Sequence, residues 1–307
     1  MTTEDLNAHF AIPGILSFDD HNGLTRANVT TSAASGTIYL QGAHLTHWQP
    51  AGQTPVLFTS QHSDFAPGKP IRGGVPVLFP WFGPDTQNRA SGQPAPSHGF
   101  ARILPWDVAF AALAGDNLHL TFTLAPSDTT RSLGYDHFRL AYQLTIGTTL
   151  TMQLTVANDT PQPLRFEEGL HTYFAVADVR QVTVTGLEPT SYLDKMDGMN
   201  LHPASHQPLT FVSATDRVYL DTTAPCKLHD PAGSRQITIS KSGSDATVVW
   251  NPWSEIASRL PDLGDDEWPH MLCIETVNAA TNAVTLPSGQ AHTMQSRISV
   301  EATSTPS

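Results

Sequence analysis

Two cysteines, Cys226 and Cys273, are all that this chain of 307 residues contains. Their spacing makes neither a disulfide framework nor a CxxC zinc knuckle, so a reduced, cytoplasmic protein is expected. Basic residues are also scarce, with 16 Lys+Arg against 28 Asp+Glu and a formal net charge of −12. Without a basic face, general affinity for nucleic acid or an anionic membrane is excluded as a class of function. No apolar run approaches the ~20 residues of a membrane span. The opening Met1-Thr2-Thr3-Glu4-Asp5-Leu6 is acidic where a signal peptide is basic. A soluble, unexported protein follows. Long helical periodicity and internal repeats are missing as well.

What the chain has instead is period-two alternation. Asn117–Leu124, Phe138–Ile146 and Thr149–Val156 read as strands, with Gly147-Thr148 turning between the last two. Asp230-Pro231-Ala232-Gly233 turns between Cys226–His229 and Gln236–Ile239. Further strands are expected at Gln181–Leu187, Arg217–Leu220, Thr247–Trp250, Met271–Val277 and Met294–Val300, and one short helix at Ser254–Leu260 capped by Ser254. Short strands without βαβ alternation predict an all-β protein, a large antiparallel sandwich in a single domain over 1–307. Asp85 to Ser97, rich in Pro, Gly, Gln and Asn, reads as a long surface loop framing a binding site, and Thr303 to Ser307 as a frayed tail.

Several segments carry residues suited to chemistry. In Ile71-Arg72-Gly73-Gly74-Val75-Pro76-Val77-Leu78-Phe79-Pro80-Trp81-Phe82-Gly83-Pro84 an arginine precedes a rigid apolar run, and the glycines are expected to let backbone approach a ligand closely. Ser97-His98-Gly99-Phe100-Ala101-Arg102 joins a near-neutral titrating group to a second cation. His171, beside Leu170 and Tyr173-Phe174, is placed for partial burial, so neighbours rather than solvent set its protonation. Glu167 and Glu168 are consecutive and point to opposite faces of a strand. Glu275 interrupts the apolar Leu272-Cys273-Ile274-Glu275-Thr276-Val277 and becomes a poised base if it faces inward, though alternation leaves its face open. Asp216 lies in Thr215-Asp216-Arg217-Val218-Tyr219, while Trp250 and Trp253 read as core residues.

In this order, the Arg72-Gly73-Gly74 and Pro80-Trp81-Phe82-Gly83 pieces, His98-Gly99-Phe100-Ala101-Arg102, His171-Thr172-Tyr173-Phe174, Thr215-Asp216-Arg217, Val249-Trp250-Asn251-Pro252-Trp253 and Glu275 resemble the D-hexose-6-phosphate mutarotases. These are the glucose-6-phosphate 1-epimerases, related to aldose 1-epimerases. The resemblance spans roughly 35–300 and implies the galactose-mutarotase-like β-sandwich, or supersandwich, fold. It also implies His171 as acid and Glu275 as base in anomer interconversion, with Arg72, Arg102 and Asp216 contacting a hexose phosphate and His98 beside them. Where some relatives carry a longer polar contact residue, this chain has Ser97.

Anomerisation needs only proton transfers at the anomeric hydroxyl and the ring oxygen, so no cofactor is expected. No metal is expected either: the chain has no HExxH, and His44 and His47 fall on opposite strand faces. A monomer acting on a small sugar phosphate, with Arg72 and Arg102 on the phosphate, is the resulting picture. Three alternatives stay open. A glycoside hydrolase would need a carboxylate partner for Glu275; an aldose 1-epimerase would act on free sugars; a non-catalytic sugar-binding protein would keep the arginines and tryptophans.

Overall fold

The structure, a computed structural model, describes residues 1–85 and 95–303. Most of the loop expected between Asp85 and Ser97, and the tail beyond 303, lie outside the described residues. Alternation decides the first of the two eight-stranded sheets. In Phe138–Ile146 the side chains of Phe138, Leu140, Tyr142, Leu144 and Ile146 are buried while their neighbours are open. Each contributes about 1.5–3 kcal/mol relative to exposure. This strand pairs antiparallel with Asn117–Leu124 and with Thr149–Asn158. The eight-stranded sheet runs in the order Thr183–Thr185, Cys226–Asp230, Arg235–Ser242, Ala291–Ala302, Thr149–Asn158, Phe138–Ile146, Asn117–Leu124, Asp107–Ala114.

The second eight-stranded sheet is ordered Asn200–His202, Tyr192–Asp194, Thr215–Tyr219, Ala246–Asn251, Met271–Asn278, Glu168–Leu170, Val77–Leu78, with Tyr173–Ala175 also on Met271–Asn278. Its central strand, Met271–Asn278, is buried along its whole length. Leu272 and Ile274 join the main core, whereas Met271 and Cys273 cluster with Tyr173 on the other face. Glu275 alternates with Ile274, so it shares the face of Cys273 and Tyr173, away from the main core. That settles the orientation the alternation left open.

A four-stranded antiparallel meander, Leu16–His21, Leu24–Thr30, Ala34–Tyr39 and His44–Pro50, extends the structure N-terminally. The core therefore begins well before residue 35, with Leu6, Leu16, Phe18, Ala27 and Val29 inside it. Helices are short: Thr3–Phe10, Asp128–Ser132 and Trp253–Ala257. The first has a Thr2/Asp5 capping box but buries only Leu6, leaving no periodic apolar stripe to read. The third begins at Trp253 with Pro252 as N-cap, not Ser254, and the Trp253 N–H donates to Asn251 Oδ1 at 2.9 Å. None of these described helices is long and apolar enough to cross a membrane.

The Gly73-Gly74 pair also differs from expectation. Both have positive φ, +111° and +60°. A Cβ at Gly73 would collide with Thr59 Cα and Phe58 O, and one at Gly74 with Leu45 O. The close approach is to neighbouring backbone rather than to a ligand, and it wedges Arg72 between two segments. Gly14, at φ +73° in open space, is the control. Gly14→Ala should cost only the ~1–2 kcal/mol of the left-handed conformation. Gly73→Ala should exceed it by at least about 1 kcal/mol from overlap, read by urea unfolding of both variants.

Candidate active site

A break in one strand builds the centre. Leu170, at the end of Glu168–Leu170, pairs with Thr276, and Tyr173, at the start of Tyr173–Ala175, pairs with Cys273. The same antiparallel register runs through both ladders, so His171 in the break stands opposite Glu275. Their side chains meet, with His171 Nε2 3.4 Å from Glu275 Oε1. Both are buried, at 7% and 1% exposure. The His171 N–H donates to Pro76 O and the Tyr173 N–H to Gly74 O, which fixes the broken segment against the glycine wedge.

Aromatic rings hold the imidazole. Tyr173 stacks on it at 4.8 Å and 10°, and Trp250 meets it edge-on at 6.1 Å. Trp250, expected in the core, is thus part of the site wall, because Asp216, Trp250, Cys273 and Tyr173 pair in one row across the sheet. Trp253 packs on Trp268 instead, at 4.4 Å. His98 lies 5.6 Å from His171, ring to ring. Its Nδ1 accepts the Gly83 N–H at 3.2 Å, which leaves Nε2 as the protonated donor when the ring is neutral.

Three cations surround the pair. Arg72 Nη1 donates to Tyr173 Oη at 3.1 Å and Nη2 to Asp262 Oδ1 at 3.0 Å. Lys195 Nζ sits 3.1 Å from Asp216 Oδ1 and 4.8 Å above the Phe82 ring. Arg102 Nη2 donates to Ser97 O at 2.7 Å, and among the described residues it has no carboxylate partner. Its buried Nε is without a hydrogen bond, as is that of Arg72. Glu167 braces this rim: one carboxylate oxygen accepts the Phe82 N–H and the other the Ala280 N–H, each at 2.8 Å. Glu168, on the opposite face as expected, is buried against His292 at 2.9 Å.

Burial dominates the titration. It drives His171 well below the usual histidine range, reinforced by His98, Arg102, Arg72 and Lys195. It drives His98 down likewise, with Arg102, Lys195 and Arg72 adding to it. Glu275 is pushed well above the carboxylate range by burial and then by Asp216, against the pull of Lys195 and Arg102. Asp216 is raised by burial and held back by Lys195. Burial, aided by the charge of Arg72 and opposed by Tyr173, lowers Arg102 to about 10, which still leaves it charged at neutral pH. Burial thus favours a neutral imidazole opposite a neutral carboxyl.

Arg72, Phe82, His98, His171, Lys195, Asp216, Trp250 and Glu275 line a cavity of about 160 Å³. A larger cleft of about 700 Å³ shares Phe82, His98, Lys195 and Asp216 with it. Five of the six site residues expected from sequence are brought together here, while Arg102 lines neither cavity and bears on the centre through its charge on His98, His171 and Glu275. Sequence reasoning missed Lys195, Asp262 and the part played by Tyr173. Tyr173 was within reach, since it shares the face of His171 by alternation. Lys195 and Asp262 have no local pattern. His44 and His47 are apart from all this: His44 Nε2 lies 2.7 Å from Gly73 O and His47 Nε2 3.3 Å from Ser35 Oγ.

The chain is similar to known proteins over most of its length. A family model described as aldose 1-epimerase matches residues 28–299. A protein of Escherichia coli (strain K12) named "Putative glucose-6-phosphate 1-epimerase" is 35% identical over 257 residues, 84% of each chain. A Salmonella typhimurium (strain LT2) protein of the same name is 34% identical over 280 residues, 89% of this chain and 92% of its own. The crystal structure of "a putative mutarotase (YeaD)" from Salmonella typhimurium has a TM-score of 0.88 at 31% identity, covering 95% of this chain and 96% of that one.

The raised Glu275 carboxyl has a consequence for stability. A folded-state value above the unfolded one means that the folded protein binds the extra proton, so stability is present below the unfolded value of ~4.3 and lost as pH rises towards the folded one. Glu275→Gln removes this loss. Its melting temperature should exceed the wild type's by more at pH 8 than at pH 5. An equal difference at both pH values in thermal scans would contradict the raised carboxyl.

Proposed function

We propose that this chain, which belongs to the aldose 1-epimerase family, interconverts the α and β anomers of hexose 6-phosphates, D-glucose 6-phosphate foremost. The contact between His171 and Glu275, buried yet facing a cavity lined by Arg72, carries this function. The anomeric hydroxyl and the ring oxygen are bonded to the same carbon, so one compact acid/base pair reaches both. In ring opening Glu275 takes the proton of the anomeric hydroxyl and His171 gives one to the ring oxygen. Rotation about C1–C2 turns the other carbonyl face, and reclosure reverses both transfers. Each transfer supplies about 10²–10⁴ in rate.

The charge arrangement favours the opened sugar. Before opening, the pair is an imidazolium and a carboxylate; after opening, it is a neutral imidazole and a carboxylic acid. The neutral pair is the form that burial prefers. A phosphate on Arg72 and Arg102 cancels part of the cationic field that depresses His171, and so makes its protonated state accessible when substrate is present. Arg72 lines the cavity but is already engaged by Asp262 and Tyr173, whereas Arg102, which lines neither cavity, has no carboxylate partner among the described residues. Asp216 and His98 orient sugar hydroxyls, with Lys195 paired to Asp216. Two free, buried cysteines fit a reducing cytoplasm.

Polarimetry of freshly dissolved α-D-glucose 6-phosphate tests the pair. His171→Ala and Glu275→Gln should each slow anomerisation by at least ~10²-fold while remaining folded. A near-normal rate in either variant removes that residue from the mechanism. Arg102→Ala should lower kcat/KM for the phosphate by about tenfold or more, with little change on free glucose. Equal efficiency of the wild type on both sugars would instead assign it to free aldoses.

A further inference from the structure

We propose that His171, Cys273 and Glu275 form a zinc site, and that zinc inhibits the protein by occupying the acid/base pair; the inhibition rests on the function proposed above, while the site itself does not. The three residues offer one nitrogen, one sulfur and one carboxylate oxygen, all within 4.8 Å of one another and all buried. They escape a search for metal motifs because they come from two places in the chain, the strand break at 171 and alternate positions of the strand Met271–Asn278. Tetrahedral zinc, with bonds of about 2.0–2.3 Å, sets its ligand atoms roughly 3.5 Å apart. His171 Nε2 and Glu275 Oε1 are already at 3.4 Å. Only the thiol of Cys273 has to close in, by a side-chain adjustment.

A second observation points the same way. His171 Nδ1 and Glu275 Oε2 are buried without any hydrogen bond, so neither side chain is held by a protein partner that would resist coordination. Charge also permits it. A thiolate and a carboxylate balance the dication, and two of the three cations around the pair, Arg72 and Lys195, are each paired with a carboxylate, Asp262 and Asp216. The adjoining cavity of about 160 Å³ has room for a water at the fourth position. On coordination Cys273 releases its thiol proton to solvent, and the pair releases the proton it holds between His171 and Glu275. The lone pairs that zinc takes are those that move protons in catalysis. Magnesium, which demands oxygen ligands, is not served by this donor set.

The test uses the purified full chain stripped of metal. Zinc should abolish anomerase activity reversibly, with EDTA restoring it and magnesium having no effect. Cobalt(II) should give a thiolate-to-metal charge-transfer absorption that zinc displaces. Cys273→Ala, with Cys273→Ser as the alternative should alanine not fold, should keep anomerase activity, lose the cobalt band, and need about tenfold or more zinc for the same inhibition. Unchanged zinc sensitivity in the cysteine variants, equal inhibition by magnesium, or a cobalt spectrum without the thiolate band in the wild type would overturn the site. If the wild type lacked anomerase activity, the function would fall while the cobalt spectrum still decided the metal site.

Discussion

The antiparallel register between the strand Met271–Asn278 and the two pieces Glu168–Leu170 and Tyr173–Ala175 is the constraint on which the site depends. A sheet ladder is periodic, so breaking one strand for two residues without changing register keeps them opposite fixed partners, with Thr172 O still accepting the Ile274 N–H and the His171 N–H turned to Pro76 O. His171 is delivered to Glu275 in this way. The same row of the sheet brings Tyr173, Cys273, Trp250 and Asp216 side by side. A slip of one residue would turn Glu275 into the main core among Leu272 and Ile274 and dissolve the site altogether.

Around that pair the protein places charge it does not neutralise internally. Burial alone would leave two neutral groups, which hold little power to polarise a sugar. Arg102, without a carboxylate partner among the described residues, and the partly engaged Arg72 supply a positive field beside them. The groups whose positive charge would attract an anion are the same ones whose charge disfavours an imidazolium at His171. This local positive field stands in a chain that is acidic as a whole, at −12.

Much of this was legible in the chain. Phe138–Ile146 and Asn117–Leu124 were read to the residue, because large apolar side chains alternate there with polar ones. His171, Glu275, Arg72, His98 and Asp216 were found by their order along the chain, and they converge on one cavity. The rest depends on contacts that leave no local trace. Arg72 meets Asp262 across 190 positions, and Lys195 reaches Asp216 from a hairpin with no motif of its own. The helix Thr3–Phe10 hides because a single buried leucine makes no periodicity. Gly73 and Gly74 were noticed, but their purpose concerns the packing of backbone on backbone, which composition cannot reveal.

Glu167 gives the rim a property of its own. By gripping the Phe82 N–H with one oxygen and the Ala280 N–H with the other, its carboxylate spans from the wall after Pro80 to the segment just beyond the strand of Glu275. It behaves as a crossbar. The spacing between Phe82 and the segment just beyond Met271–Asn278 is set by the length of this one side chain. A change in the length of that one side chain would change the distance between the two walls that it joins.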